Sequence, residues 1–380
     1  MYKKVNIAHL IPSLGLGGAE KYVFSLFQHR SRDLFNSKII HWQDCRDTLQ
    51  EFTDYGDEII KLNFGSILSV TTCFKLIRLL KNLQIDILHT HLMDADLIGF
   101  FACRILRIPQ LITIHSYPYP IERRHCNRYR FMSLFNTSFV FVSNKVKNYV
   151  LSKTGISERR TFVVHTGIDL EKFHIEKSHQ NREHLLENLS IDKECKIVGN
   201  VSRLVDGKGH RHLLLAAVDI LKNFPNTVFL IIGDGVQRVE LVKFSHDLNI
   251  SDHVRFAGSR TDIPELLDLM DIFVFPAYDE AFGISALEAM AMGKAIIATN
   301  DAAVPEIIEN NKESILIEPQ NPKLLSKCIQ DLLSNPDERV RLGNAAWKRS
   351  RHFSIESMVR EIERIYLKIL LKDNVCSLSI

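Results

Sequence analysis

The stretch from Tyr278 to Gly293 reads YDEAFGISALEAMAMG. Ahead of it, DIFVFPA (Asp271–Ala277) is a short, nearly continuous apolar run, the pattern of a strand buried on both faces of a parallel sheet. Behind Gly283 the alanines and methionines favour helix, and Gly293 can end one. The local order is strand, loop carrying Glu280, glycine turn, helix. A helix starting near Gly283 turns free backbone N–H groups and the positive end of its dipole toward the loop, where an anion such as phosphate is stabilised. Phe282 and Ile284 flank that glycine, and Glu280 sits in the loop beside the anion. Glu288 lies about one turn into the helix, roughly 6 Å along at about 1.5 Å per residue. A carboxylate there accepts hydrogen bonds from two neighbouring hydroxyls, such as those of a ribose. Two acids eight residues apart are ordinary in a chain with 45 Asp and Glu, so the surrounding sequence has to decide their meaning.

Working outward, 380 residues suggest two α/β domains, and 46% hydrophobic with 24% charged residues is material for two cores. The net charge of +3 gives no sign of a nucleic-acid binder. Residues 1–190 carry 25 Lys/Arg against 18 Asp/Glu (+7), and residues 191–380 carry 23 against 27 (−4), so the first half is the more basic. Seven scattered cysteines without a C-x-x-C fit a reducing cytosol rather than a disulfide framework or a zinc site. No run is long and apolar enough to span a membrane, and the first twenty residues read as a strand feeding a glycine turn rather than a signal peptide.

Taken in order, a first strand over Val5–Ile11 leads into PSLGLGG (Pro12–Gly18) and then an amphipathic helix. Gly17 and Gly18 allow a backbone to approach a ligand closely, although a plain turn uses glycine too. The G-x-G-x-x-G spacing of dinucleotide folds is missing. A strand over Ile85–His89 opens HTHLMDADLIG. His89 and His91, two apart, share one face of an extended chain; metal ligation is conceivable, but no third ligand is evident. Asp94 and Asp96 read as an acidic helix start. Another strand ends on His115, at the carboxyl edge where α/β folds bind ligands. Tyr117–Phe135 mixes Arg123, Arg124, Arg128 and Arg130 with aromatic residues, as a solvated amphipathic helix or a membrane surface would. A second α/β unit starts near Lys196. Its first loop carries Arg203 and Lys208 before a helix opening at Gly209, two cations plus helix N–H groups suited to a diphosphate. The segment Asp337–Leu371 is expected to be helical.

Four stretches together resemble one family. E-x-F-G-[IL]-x-x-L-E-A-M-A-x-G at Glu280–Gly293 resembles the signature of the retaining nucleotide-sugar glycosyltransferases of the GT-B class, family 4, with Ala281 where glycine is usual. Gly17-Gly18-Ala19-Glu20 resembles that family's G-G-A-E loop. Arg203–Gly209 resembles its G-R-L-x-x-x-K-G loop with Ser202 for the first glycine, and TGIDLEKF resembles its domain link with Thr166 for asparagine. The resemblance spans nearly the whole chain, most strongly at 165–209 and 271–306.

This resemblance implies an α/β fold of two Rossmann-like domains facing across a cleft. An acceptor-side domain is expected over 1–170, with a C-terminal helix at about 354–380 packing back on it, and a donor domain over 171–353. The implied function is transfer of a sugar from a nucleotide diphosphate donor, UDP- or GDP-linked, to an acceptor hydroxyl with retention, in cell-surface polysaccharide or glycolipid synthesis. Glu280 and His115 are implied as catalytic. Gly17, Gly18, Arg203, Lys208, Ser259, Arg260, Phe282, Gly283, Ile284 and Glu288 are implied to bind the donor, with Ser259 and Arg260 at the base. No metal or other cofactor is expected, because Arg203 and Lys208 take the charge of the leaving diphosphate. On this reading, loss of the Glu280 charge slows turnover and changes nucleotide affinity little, whereas loss of Glu288 weakens the nucleotide. The expected acceptor is lipid-linked or an oligosaccharide, not nucleic acid, and the expected location is cytoplasmic, at the inner membrane face through Arg123, Arg124, Arg128 and Arg130. The competing readings are a nucleotide-sugar epimerase of the same fold and a non-catalytic nucleotide-sugar-binding subunit.

Overall fold

The computed structural model describes residues 4–15, 17–44, 50–63, 69–116, 122–174, 182–301 and 303–377. The chain divides into two units, one made of Met1–Gly167 with Ile355–Ile380, the other of Ile168–Ser354.

The first unit runs β1 (Val5–Leu10), α1 (Gly18–Gln28), β2 (Phe35–His41), β3 (Ile59–Lys61), α2 (Val70–Asn82), β4 (Ile87–His91), α3 (Met93–Leu106), β5 (Gln110–Ile114), α4 (Glu122–Ser133), β6 (Thr137–Phe141), α5 (Asn144–Thr154) and β7 (Thr161–Val163). Its sheet has the order β3-β2-β1-β4-β5-β6-β7, and every pairing is parallel. Parallel neighbours need crossover helices, which cover both faces and bury the strands; β4, β5 and β6 are buried at every residue. Helix starts follow local chemistry. The Ser69 hydroxyl accepts from the Thr72 amide at α2, and the Ser143 hydroxyl accepts from the Val146 amide at α5.

The second unit runs α6 (Arg182–Asn188), β8 (Lys196–Val201), α7 (His210–Asn223), β9 (Thr227–Ile232), α8 (Arg238–Asp247), β10 (Val254–Gly258), α9 (Ile263–Leu269), β11 (Ile272–Phe275), α10 (Ile284–Ala291), β12 (Ala295–Thr299), α11 (Val304–Ile307), β13 (Ile315–Ile317), α12 (Pro322–Ser334) and α13 (Pro336–Ser350). Its sheet, β10-β9-β8-β11-β12-β13, is again wholly parallel. In each sheet the chain builds outward from its first strand, then crosses back to the other side. The reversal falls between β1 and β4 in one and between β8 and β11 in the other. Such a switch point leaves a crevice at the carboxyl ends of the strands.

Two expectations need correction. β4 runs Ile87–His91 rather than Ile85–His89, because its register against β1 and β5 carries the ladder to His91. The segment Asp337–Leu371, expected to be helical, is interrupted just before the expected C-terminal helix. α13 ends at Ser350, Arg351–Phe353 forms a 3-10 turn, Ser354 is extended, and α14 (Ile355–Ser377) then begins. The Ile168 amide donates to the Phe353 carbonyl at 2.8 Å, which holds the break in place.

α14 belongs to the first unit. Ile355, Met358, Val359, Ile362, Ile365, Tyr366 and Ile369 form the i, i+3, i+4, i+7 stripe of an amphipathic helix and pack with Ile7, Tyr22, Leu26, Phe35, Ile87 and Leu111. The Glu363 carboxylate accepts from the Ser31 amide at 2.7 Å and its hydroxyl at 2.8 Å. Ile362 is fully buried. Ile362→Ala is expected to cost about 2–5 kcal/mol of stability through transfer and cavity terms. In hydrogen exchange, amides of β1, β4 and β5 should then open sooner while those of β8 and β11 keep their protection. Equal acceleration in β8 and β11 would contradict the assignment of this helix to the first unit.

Candidate active site

In the second unit, four consecutive strands present loops at one edge. Ser259 and Arg260 follow β10, Gly233–Gly235 follow β9, Ser202–Gly209 follow β8, and Pro276–Gly283 follow β11. The β8 and β11 loops flank the switch point and are tied together. Tyr278 donates its amide to the Gly207 carbonyl (2.9 Å) and its hydroxyl to Asp206 Oδ1 (2.8 Å). Gly209, the residue before α7, has φ of +75°, and a Cβ there would meet the Pro276 carbonyl oxygen at 2.1 Å, so only glycine lets the two loops close on each other. Gly283 caps α10 at φ +100°, which turns the chain so that the helix N-terminus meets the loop.

Lys208 Nζ lies 2.6 Å from Glu280 Oε2, with both side chains largely shielded from solvent. The other carboxylate oxygen, Oε1, accepts from the Ala281 amide at 3.1 Å. The site thus brings its cation and its acid into one ion pair, beside the N-terminus of α10. Arg203 is exposed on the same loop. Ser202 is accommodated by its hydroxyl, which donates to Asn200 Oδ1 and lies 2.9 Å from His210 Nε2. Burial, with Lys208 adding to it, lowers His210 to about 4. On α10, Ile284, Ser285 and Glu288 are half-buried while their neighbours Ala286, Leu287 and Ala289 are buried, so the three share the open face. Phe282 is only 3% exposed, so its ring belongs to the core and only its backbone can meet a ligand. Arg260 is held by Asp262, Nε to Oδ1 at 2.8 Å, while Ser259 is exposed.

The first unit holds Gly17, Gly18 and His115. Gly17 precedes α1 and Gly18 is its first residue; both are exposed. His115 follows β5, with Tyr22 edge-on to its ring at 4.9 Å between centroids. Burial holds its imidazole down to about 3, so the ring is neutral. A third imidazole missing from the sequence reading is present: His9 on β1 joins His89 and His91, with ligand nitrogens within 4.8 Å of one another. Within this group His9 Nδ1 lies 3.4 Å from His91 Nε2, His91 Nδ1 in turn lies 3.1 Å from Nε2 of His115, and His89 is held by the Tyr366 hydroxyl (2.6 Å) and the Thr113 hydroxyl (2.7 Å). The signal was available, since His9 lies near the end of the first strand as His115 lies just past the end of the fifth. Asp96 is more than a helix-start acid. It is fully buried, accepts from the Thr90 and Tyr129 hydroxyls, and burial raises it to about 7.

On α4, Arg124 and Arg130 are exposed and Arg128 is half-buried; the Arg123 side chain and Tyr117–Ile121 lie outside the described residues. Beside them Phe101 and Ile105 of α3, with Phe131 and Leu134, expose 49%, 63%, 51% and 76% of their surface. Phe100 bridges the two helices, its ring 5.6 Å from Phe131.

Residues 181–349 match the family described as Glycosyl transferases group 1, and residues 16–172 match Glycosyltransferase Family 4. An N,N'-diacetylbacillosaminyl-diphospho-undecaprenol alpha-1,3-N-acetylgalactosaminyltransferase of Campylobacter jejuni is 30% identical over 84% of this chain and 87% of its own length. A UDP-Gal:alpha-D-GlcNAc-diphosphoundecaprenol alpha-1,3-galactosyltransferase of Escherichia coli is 25% identical over 97% of this chain and 98% of its own. The crystal structure of a glycosyltransferase from Rickettsia africae superposes with a TM-score of 0.85 at 24% identity, covering 97% of this chain and 99% of that one.

The Lys208–Glu280 pair changes one expectation. A phosphate reaching Lys208 has to compete with the Glu280 carboxylate. Glu280→Gln is therefore expected to tighten nucleotide diphosphate binding by about three- to tenfold while leaving nucleoside binding unchanged. Lys208→Ala should weaken the diphosphate by on the order of 1.5–3 kcal/mol. Calorimetry on both variants decides; equal or weaker diphosphate affinity in Glu280→Gln would mean that the carboxylate does not hold Lys208 back.

Proposed function

The chain belongs to the group 1, family 4 glycosyltransferases, and from that premise we propose that it transfers a hexose from a UDP-hexose to a hydroxyl of a sugar carried on a polyprenyl diphosphate, with retention at the anomeric carbon. The observation that carries this reading is the Lys208–Glu280 pair beside the N-terminus of α10 at a switch point, cation, acid and helix amides converging where a sugar diphosphate would react. The donor and acceptor classes are taken from the relatives of Campylobacter jejuni and Escherichia coli, whose names specify sugars on diphospho-undecaprenol and, in the second, a UDP-galactose donor.

In this mechanism Arg203, Lys208 and the first amides of α10 hold the diphosphate. The bond between the anomeric carbon and the phosphate oxygen breaks, and negative charge builds on the leaving oxygen where these donors point. Glu280, released from Lys208, accepts hydrogen bonds from the sugar hydroxyls and stabilises positive charge at the anomeric carbon. The acceptor oxygen bonds to that carbon, and its proton passes to the departing phosphate oxygen. Glu288 takes the ribose hydroxyls, Ser259 and Arg260 flank the base, Gly17 and Gly18 offer backbone to the substrate, and His115 orients the transferred sugar. Two protein cations supply the charge that a divalent ion supplies in other sites.

A lipid-linked acceptor also brings the enzyme to a bilayer, and the face of α3 and α4 suits that surface. Phe101, Ile105, Phe131 and Leu134 reach the interface, and Arg104, Arg124, Arg128 and Arg130 meet anionic headgroups, each worth about 1 kcal/mol.

The test is transfer from UDP-hexoses to a synthetic sugar-diphosphoprenol with the product linkage read by NMR. An α-linked product from an α-linked donor, formed equally in EDTA, is expected. A β-linked product overturns retention, an epimerised nucleotide sugar overturns transfer, and loss in EDTA with rescue by magnesium or manganese overturns the metal-free mechanism. Separately, the protein should co-sediment with phosphatidylglycerol vesicles at low salt, less so at high salt, and not with phosphatidylcholine vesicles. No binding to either at low salt would leave α4 as a solvated helix.

A further inference from the structure

Three adjacent strands of the first unit bring histidines to one sheet edge. His9 lies near the end of β1 and His91 ends β4, while His115 directly follows β5, the neighbour of β4. His9 Nδ1 is 3.4 Å from His91 Nε2, and His91 Nδ1 is 3.1 Å from His115 Nε2. His89 stands outside this row. Its nitrogens go to Tyr366 and Thr113, and its ring packs 4.2 Å from that of His91. His9, His89 and His91 are each at most 1% exposed. Desolvation holds all four rings neutral.

A neutral imidazole carries one N–H, so one nitrogen donates and the other accepts. Both nitrogens of His91 face another imidazole. The row therefore has two possible directions, and the choice at one end fixes the other. If it runs from His9 to His115, then His115 Nε2 accepts and its proton sits on Nδ1. If it runs the opposite way, His115 Nε2 donates and Nδ1 is a bare acceptor. Arg30 sets the choice. It lines one small cavity with His9 and Glu363 and, although its Nη2 pairs with Glu58 at 2.8 Å, it acts on the His9 ring as a positive charge. With Nδ1 of His9 committed to His91, the cation favours a lone pair on the remaining Nε2, hence a proton on Nδ1 donated into the row.

We propose that His9 and His91 are positioning residues that fix His115 as the Nδ1–H tautomer, so that His115 presents a neutral hydrogen-bond donor to an oxygen of the substrate. Its bearing on catalysis rests on the proposed glycosyl transfer; the tautomer itself does not.

The experiment uses the full chain with ¹⁵N-labelled histidine. Long-range ¹H–¹⁵N correlations should show His115 protonated at Nδ1 and bare at Nε2 at neutral pH; the reverse assignment in the wild-type protein overturns the proposal without any variant. His9→Leu removes the first donor. The His115 tautomers should then mix, and kcat for hexose transfer should fall about tenfold while calorimetric affinity for UDP stays unchanged. His9→Asn keeps an N–H donor at the position of Nδ1 and should restore both the tautomer and the rate. A purely structural role for His9 would show instead as an unaltered His115 tautomer in His9→Leu, or as rate losses that follow melting temperature alike in both variants; either result refutes the relay. If the wild-type protein binds UDP but transfers no hexose, the transfer reading fails, and the spectrum still decides the tautomer.

Discussion

Every strand pairing in both units is parallel, and that constraint organises the rest. A parallel ladder cannot be closed by a tight hairpin, so each strand is followed by a crossover, mostly helical, that lies on a face of the sheet. The strands become buried on both sides, and polar chemistry is pushed to the loops at their carboxyl ends. Those same loops run into helix N-termini, where unpaired amides favour anions. The reversal of strand order between β8 and β11 opens the space in which Lys208, Glu280 and the start of α10 meet.

The ion pair at that point has a double character. A largely shielded cation alone would be costly, and Glu280 offsets that cost. On the proposed reading, the same carboxylate competes with the phosphate for Lys208. Fixing the pair requires both loops to be held at short range, and the Tyr278–Gly207 and Tyr278–Asp206 bonds do this together with the glycine at 209.

The first unit solves a different problem. Its switch-point edge is lined by imidazoles rather than cations, and burial removes their charge. Nitrogens of His9, His91 and His115 face one another at hydrogen-bond distance, and His89 beside them is satisfied by the hydroxyls of Thr113 and Tyr366. Tyr366 comes from α14, so the helix that fills the hydrophobic face of this unit also closes its polar edge.

The sequence by itself determined the alternation of strand and helix and the parallel class, and it named the candidates for a phosphate site. Each of these depends on local pattern: an apolar run such as Asp271–Ala277, a glycine whose φ must be positive, a cation placed before a helix start. It was also enough to show Glu280 and Lys208 as candidates, though not as partners, since 72 residues separate them. The tertiary structure alone decided what depends on pairing across the chain. It moved β4 to end at His91, broke the last helix at Arg351–Phe353, buried the Phe282 ring, and set His9, 82 residues from His91, at the head of a row of imidazoles. Periodicity reports which face of an element is apolar. It carries no information on which strand lies beside which, and hydrogen bonds between side chains on neighbouring strands exist only once that order is fixed.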